Sequence, residues 1–130
     1  MSVFRDAEIE YLGSQRLGRL ATVGHDGMPH VVPVAFRYNP EADAIDIGGH
    51  DFAKRKKLRD VKLTGMAALV VDDVPPPWQP RAVEVRGQAL TLDTGGKAIM
   101  ESFGDPIIRI LPRRIVSWGL ADGFQARSIG

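Results

Sequence analysis

Cysteine is missing from this sequence of 130 residues. A chain without thiols has no disulfide, no cysteine nucleophile and no thiolate metal site. Long apolar runs are missing as well, since no stretch approaches the ~18 residues that a transmembrane helix requires. The first residues, MSVFRDAEIEYL, carry charges too early and too often for a signal peptide. We therefore expect a cytoplasmic protein that has no membrane partner.

Several catalytic motifs are also absent. The sequence contains no GxxxxGK[ST] phosphate loop, no GxGxxG dinucleotide turn and no GxSxG nucleophile elbow. The three histidines, His25, His30 and His50, lack the spacing of a metal-binding HExxH motif, so we expect no metal site. No side chain stands out as catalytic. If the protein is an enzyme, we expect a bound organic cofactor to carry the reaction.

Positive charge is concentrated in one short segment, although the formal net charge is only +1. Between residues 53 and 62 a single acid, Asp60, is surrounded by Lys54, Arg55, Lys56, Lys57, Arg59 and Lys62. No broad basic field or aromatic ladder flanks this segment. The distribution therefore favours one local anion site on a small-molecule ligand, and not a nucleic-acid partner.

Hydrophobic periodicity predicts a mainly β protein with short flanking helices. The predicted strands cover residues 17–23, 30–38, 44–48, 66–71, 82–92, 107–111 and 114–118, with Pro112 separating the last two. Helices are predicted over residues 3–14, 53–61 and 94–103. Short strands at hairpin spacing, without a long helix after each, predict one domain over residues 1–130 that forms a small, mainly antiparallel barrel.

Three strand positions carry more specific predictions. Pro33 removes a ladder donor, so its strand should be at an edge or irregular there. Gly87 interrupts the longest alternating stretch and predicts a bulge or a close backbone approach. Residues 66–71 are apolar at consecutive positions, which predicts a strand that is covered on both faces.

The segment GGHDFAKRKKLRD, residues 48–60, is the candidate anion site. Gly49 lets a ligand approach the backbone closely. Asp51 is a suitable N-cap for the following helix, whose free N–H groups and dipole favour an anion. Lys54 would add an ammonium in the first turn, and Lys57 would share its face of the helix. From this stretch alone, a solvated basic helix face is the alternative, and the spacing does not decide between the two.

The order of motifs along the chain supplies further information. LGRLATVGHDGMPHVVPVAFRY, IDIGG, the basic helix, VVDD, PWQPRAVEVRG and RIVSWG together resemble the pyridoxamine 5'-phosphate oxidase-like split-barrel superfamily. More narrowly, they resemble the actinobacterial branch that uses the deazaflavin coenzyme F420 in place of FMN. The resemblance implies a six-stranded antiparallel split β-barrel that forms a homodimer, with two cofactor sites at the subunit interface.

The resemblance also implies roles for particular residues. Lys54, four residues before Leu58, would hold the cofactor phosphate. The family's second basic residue, two positions earlier, is replaced here by Phe52, so Arg55 or Lys57 would supply that charge.

The cofactor ring is assigned to other parts of the chain by the same resemblance. Backbone groups of Val32, Pro33 and Val34 would line the ring and ribityl region. Trp78 and Trp118 would pack near the ring. Both are equally explained as core or interface anchors.

Arg81 follows Trp78 and would reach the acidic tail of the cofactor or a substrate carboxylate. A surface ion pair with Glu84 or Asp72 is the alternative for this arginine.

The function implied is a reductase that transfers a hydride from reduced F420 to an electron-poor conjugated small molecule. Two alternatives remain open: an FMN-binding oxidoreductase of the same fold, and a non-catalytic carrier of F420 or flavin. The chain ends in ADGFQARSIG and lacks the arginine-containing substrate motif of the authentic pyridoxamine phosphate oxidases. We therefore do not expect vitamin B6 oxidation.

Overall fold

The computed structural model of the protein describes residues 1–130 and contains seven strands, three short α-helices and one 3₁₀ turn. In chain order the elements are α1 (Asp6–Ser14), β1 (Leu17–Val23), β2 (Pro29–Asn39), β3 (Ala44–Gly48), the 3₁₀ turn (Phe52–Lys54), α2 (Lys56–Thr64), β4 (Met66–Asp73), β5 (Arg81–Leu92), α3 (Gly96–Ile99), β6 (Ile107–Trp118) and β7 (Gln125–Ser128). No helix is long and apolar enough to cross a membrane.

The strands form a closed six-stranded antiparallel barrel with one additional strand. Their order in the sheet is β3-β2-β1-β4-β5-β6-β7, and a further pairing of β3 with β6 closes the barrel. One edge of the long strand β6 pairs with β5. Along its other edge, Ile108–Ile110 pair with β3 and close the barrel, and Arg114–Ser117 pair with the additional strand β7. The predicted fold class, a six-stranded antiparallel split barrel with short helices, is confirmed.

Alternating apolar side chains fill the interior of the barrel. Leu20, Leu69, Val85 and Ile110 lie on different strands and are almost completely buried in one core cluster. Each such side chain contributes about 1.5–3 kcal/mol when it leaves water. Helix α2 adds Leu58 and Val61 to the same cluster, so the basic segment is attached to the barrel through its apolar face.

The bulge predicted at Gly87 is confirmed and explains an error in the prediction for β6. The pairing of β5 with β6 shifts register between Arg86 and Gly87, where Arg113 is the extra residue. A Cβ atom at Gly87 would lie 1.9 Å from the carbonyl oxygen of Leu111, so the strands approach more closely than any side chain allows. Pro112 pairs with Gly87 at this irregular point, and β6 continues through it as one strand.

Two other elements differ from their predictions. Strand β4 buries only its inner face in the protomer, whereas Met66 on its outer face is 57% exposed. The prediction that this strand is covered on both faces is therefore wrong for the single chain. The helix predicted over residues 94–103 is reduced to Gly96–Ile99. Gly95 has a φ of 131°, outside the helical region, so the helix cannot begin at Thr94.

Candidate functional site

The basic segment folds differently from the single capped helix that its sequence predicts. Phe52 is buried in the barrel core and holds a 3₁₀ turn, after which Arg55 is extended, with φ −82° and ψ 143°. Helix α2 therefore begins at Lys56. Asp51 has a left-handed backbone conformation and makes no side-chain cap. The predicted cap is wrong, and Lys54 and Lys57 do not share one helix face.

A small cleft opens beside the free edge of β2, and we call it the strand-edge cleft. Strand β2 pairs with β3 only from Ala35 onward, so Pro29–Val34 has no strand neighbour on this edge. The prediction that Pro33 lies at an edge is therefore confirmed. The cleft has a volume of about 250 Å³ and is lined by Pro33, Val34, Ala35, Gly48, Gly49, His50, Phe52, Arg55, Lys57 and Phe103.

The two cations of this cleft have no counter-charge within the chain. Neither Arg55 nor Lys57 lies within 4.0 Å of a carboxylate. Asp60 is not available to them, because its carboxylate accepts hydrogen bonds from Lys56 Nζ at 2.8 and 3.0 Å and from Thr22 Oγ1 at 3.1 Å. The strand-edge cleft therefore carries unbalanced positive charge, which favours binding of an anion.

Partial burial of Lys57 further favours a bound anion. The Lys57 ammonium lies 5.2 Å from the centroid of the Phe52 ring, over its face. Partial burial lowers the pKa of Lys57 below its ordinary value, and the neighbouring Arg55 charge lowers it further. A phosphate in the cleft would relieve both effects by placing negative charge beside the ammonium.

Lys54 occupies a second cleft, which we call the turn cleft. It has a volume of about 420 Å³ and is lined by His50, Asp51, Phe52, Ala53, Lys54, Ser102, Phe103, Gly104 and Pro106. The two clefts abut because they share His50, Phe52 and Phe103. The structure thus brings Arg55 and Lys57 together with Pro33, Val34 and Gly49, whereas Lys54 lines the neighbouring turn cleft.

One of the residues shared by the two clefts, Phe103, was not indicated by the sequence as part of a site. The His50 and Phe103 rings meet edge to face with their centroids 5.1 Å apart. Gly104 N–H donates to the Gly49 carbonyl at 3.2 Å and fastens the later loop to the end of β3. No local pattern could have identified Phe103, because it reaches the cleft from a loop about fifty residues further along the chain.

The remaining ring-binding candidates lie at the surface of the protomer. Val32 is 38% exposed on the free part of β2, and its role stays a prediction. Trp78 is 75% exposed in the loop between β4 and β5, and Trp118 is 38% exposed at the end of β6. Trp118 pairs with Ala82, which is the second residue of β5, so the two tryptophans belong to the same end of the barrel. Neither is a core residue of the single chain.

Arg81 participates in a side-chain cluster away from the strand-edge cleft. Its guanidinium donates to both carboxylate oxygens of Asp73, at 2.8 and 3.0 Å, and lies 5.0 Å from the centroid of the Tyr11 ring. The predicted ion-pair partners were wrong: Glu84 pairs with Arg86 and Asp72 with Arg19. Strands β1 and β4 separate β5, which begins at Arg81, from β2 in the sheet. A ligand role for Arg81 stays a prediction.

Comparison with known proteins adds independent information. The model of the family described as pyridoxamine 5'-phosphate oxidase matches residues 4–114. A 5a,11a-dehydrotetracycline/5a,11a-dehydrooxytetracycline reductase from Streptomyces rimosus subsp. rimosus is 46% identical over 132 residues, which cover 97% of this chain and 93% of the relative.

Solved structures show the same fold at much lower identity. A heme binding protein from Mycobacterium smegmatis superposes with a TM-score of 0.70 at 15% identity, over 97% of this chain and 59% of its own. An FAD binding protein from the same organism superposes with a TM-score of 0.64 at 22% identity, over 88% of this chain and 93% of its own. Because the family match spans most of the barrel and the reductase is similar over nearly the whole chain, this protein is an enzyme that belongs to the pyridoxamine 5'-phosphate oxidase family.

Proposed function

We propose that this protein is a reductase that uses reduced coenzyme F420 to saturate an electron-poor conjugated double bond in a fused polycyclic small molecule. The observation that carries the proposal is the 46% identity, over 97% of the chain, to an enzyme named as a reductase of 5a,11a-dehydrotetracyclines. The sequence resemblance to the F420-dependent branch supports the choice of cofactor.

The strand-edge cleft fits the phosphate end of a flavin-type cofactor. Arg55 and Lys57 supply two cations without counter-charges, and Gly49 lines the cleft without a side chain. We assign the phosphate to these two cations. The free edge of β2 at Val32, Pro33 and Val34 would then lie against the ring and ribityl region, where exposed backbone groups can hydrogen-bond a heterocycle.

A homodimer is part of this proposal. A volume of about 250 Å³ is smaller than the ~300–1,000 Å³ typical of small-molecule sites, so a single chain encloses only part of the cofactor. The outer faces of β1 and β4 form a groove of about 540 Å³ that includes Ala21, Val23, Met66 and Ala68. A second copy seated on this largely apolar face would bury it and complete the site around the ring.

The chemistry divides between the cofactor and the chain. Reduced F420, when bound, supplies a hydride from a ring carbon to the acceptor. The chain positions the reacting carbons: Arg55 and Lys57 anchor the phosphate, while the edge of β2 fixes the ring, so that donor and acceptor can approach to about 3–3.5 Å. We assign no side chain as proton donor, since water at the open cleft can complete the reduction.

Equilibrium binding followed by turnover tests the proposal. Purified protein is titrated with F420 and with FMN, and then mixed with reduced F420 and a panel of dehydrotetracyclines, quinones and enones under anaerobic conditions. We expect tighter binding of F420 than of FMN and oxidation of reduced F420 in step with product formation. Micromolar FMN binding without F420 binding would replace the cofactor assignment, and tight F420 binding without turnover of any acceptor would indicate a carrier.

A further inference from the structure

Asp60 links the basic segment to the barrel through a buried carboxylate. It is the only acid between residues 53 and 62, and its side chain is only 6% exposed. One carboxylate oxygen accepts a hydrogen bond from Lys56 Nζ at 2.8 Å, and the other accepts from Lys56 Nζ at 3.0 Å and from Thr22 Oγ1 at 3.1 Å. Lys56 is the first residue of α2, and Thr22 lies on β1. The carboxylate thus joins the start of this helix to a strand of the barrel.

The surroundings of this carboxylate leave the ion pair little freedom to move. A Cβ atom at Gly24, which directly follows β1, would lie 2.7 Å from Asp60 Oδ1 and 3.2 Å from Lys56 Nζ, so the pair packs directly on the backbone there. Burial alone would raise the pKa of Asp60, but the hydrogen bonds from Lys56 and Thr22 lower it below its ordinary value. The carboxylate is therefore ionised at neutral pH, and it holds the Lys56 ammonium beside the end of β1.

Lys56 stands between the two cations that line the strand-edge cleft. Arg55 precedes it and Lys57 follows it, whereas Lys56 itself lines neither cleft. At the start of α2, the N-cap residue Arg55 makes no side-chain cap, and the first turn contains no acid. The usual local interactions that stabilise a helix N-terminus are therefore missing. The hydrogen bonds of Asp60 take their place, because they fix the first residue of the helix against the barrel.

We propose that Asp60 is a positioning residue for the phosphate site, because it holds Lys56 against β1 and thereby fixes Arg55 and Lys57 in the strand-edge cleft. The inference rests on the proposed function, in which these two cations bind the cofactor phosphate. Asp60 lines neither cleft, so it acts only through its neighbours. Its charge by itself repels an anion, so loss of the charge alone should strengthen phosphate binding. Loss of positioning should weaken it, and the two effects therefore differ in sign.

Isothermal titration calorimetry with F420 measures the direction of the change. For Asp60→Asn we expect binding to be about 3- to 10-fold weaker, comparable to the loss of one hydrogen bond. Thr22→Val removes the hydroxyl donor, keeps the branched shape and should also weaken binding, whereas Thr22→Ser should keep the native affinity. The double variant Lys56→Met/Asp60→Asn leaves the net charge of the chain unchanged. It should still bind F420 more weakly than the native protein, because the restraint on the start of α2 is missing.

Two control variants separate positioning from other effects. Glu41→Gln removes the carboxylate of another i,i+4 ion pair, with Arg37, outside both clefts, and should leave the affinity unchanged. Val61→Ala removes buried apolar contacts of α2 and should lower the thermal stability while F420 binding stays native.

The outcomes distinguish this inference from the proposed function. If Val61→Ala weakens F420 binding as much as Asp60→Asn does, the effect is a general loosening of α2 and the positioning role is wrong. Native or tighter binding by Asp60→Asn, or native affinity of the double variant, would also overturn the positioning role, while the proposed function stands. Failure of the native protein to bind either F420 or FMN would overturn both.

Discussion

Replacement of Lys57 by alanine should weaken cofactor binding without affecting the fold. The ammonium lines the strand-edge cleft beside Pro33 and Gly49 and lies over the Phe52 ring, without a carboxylate partner. A hydrogen bond to a charged group contributes about 1.5–3 kcal/mol, and the half-buried setting of Lys57 favours the lower end. We therefore expect Lys57→Ala to bind F420 about 10-fold more weakly, since 1.4 kcal/mol corresponds to a factor of ten.

The same lysine predicts how binding depends on pH. Burial lowers the pKa of Lys57 in the free protein, and a bound phosphate would raise it again. Between these two pKa values binding takes up a proton, so affinity should fall as the pH rises. The fall should begin below pH 10.5, the ordinary value for lysine. Lys57→Arg stays charged throughout this range and should remove the fall.

Isothermal titration calorimetry between pH 8 and 10.5 measures both effects. Proton uptake is obtained by repeating each titration in two buffers that differ in ionisation enthalpy. Equal pH profiles for the native protein and Lys57→Arg would show that another group controls the profile. Unchanged affinity of Lys57→Ala, with native thermal stability, would refute the assignment of the phosphate to the strand-edge cleft.

Three further predictions concern stability and assembly. Gly87→Ala should destabilise the protein by about 3 kcal/mol in urea unfolding, because its Cβ would lie 1.9 Å from a backbone oxygen of β6. Gly13 lies in α1, and a Cβ atom added there would have nothing within 4 Å, so Gly13→Ala should stabilise the protein by about 0.5–1 kcal/mol. Met66→Lys should convert the proposed homodimer into 14.2 kDa monomers in sedimentation and weaken F420 binding in parallel. A variant that stays dimeric would exclude the outer face of β4 as the interface. Hydrogen bonds from Arg81 lower the pKa of Asp73 from 3.8 to about 2. Asp73→Asn should therefore be less stable than the native protein at pH 7, and the difference should shrink as the pH falls from 4 through 2. A constant difference would show that the ion pair adds no pH-dependent stability.

The strands could be predicted from the sequence because alternation is a local property. The bounds of β1 and β3 were predicted to the residue. Apolar residues alternate along β1, and turn residues flank β3. The bulge at Gly87 was also predictable, because glycine inside an alternating stretch has few other uses. The division at Pro112 was wrong, because the sequence does not show that this proline would pair with the bulge glycine and leave the ladder continuous.

The candidate site was less predictable. Its cations and its strand-edge residues were named from the sequence, but their grouping was not. Phe52 is buried in the core and begins a 3₁₀ turn that includes Lys54, and Arg55 is extended. Lys54 and Lys57 therefore belong to different elements, since α2 begins only at Lys56. Phe103 and His50 line both clefts. Such contacts depend on residues about fifty positions apart, which no local periodicity records.

The sequence by itself determined a small antiparallel barrel and a concentrated basic segment, because side-chain alternation and charge are carried by neighbouring residues. Only the tertiary structure decided which cation faces which cleft, and that Arg81 is held by Asp73. The physical reason is that a buried aromatic side chain and a closed barrel fix the direction of each exposed side chain through packing between distant segments.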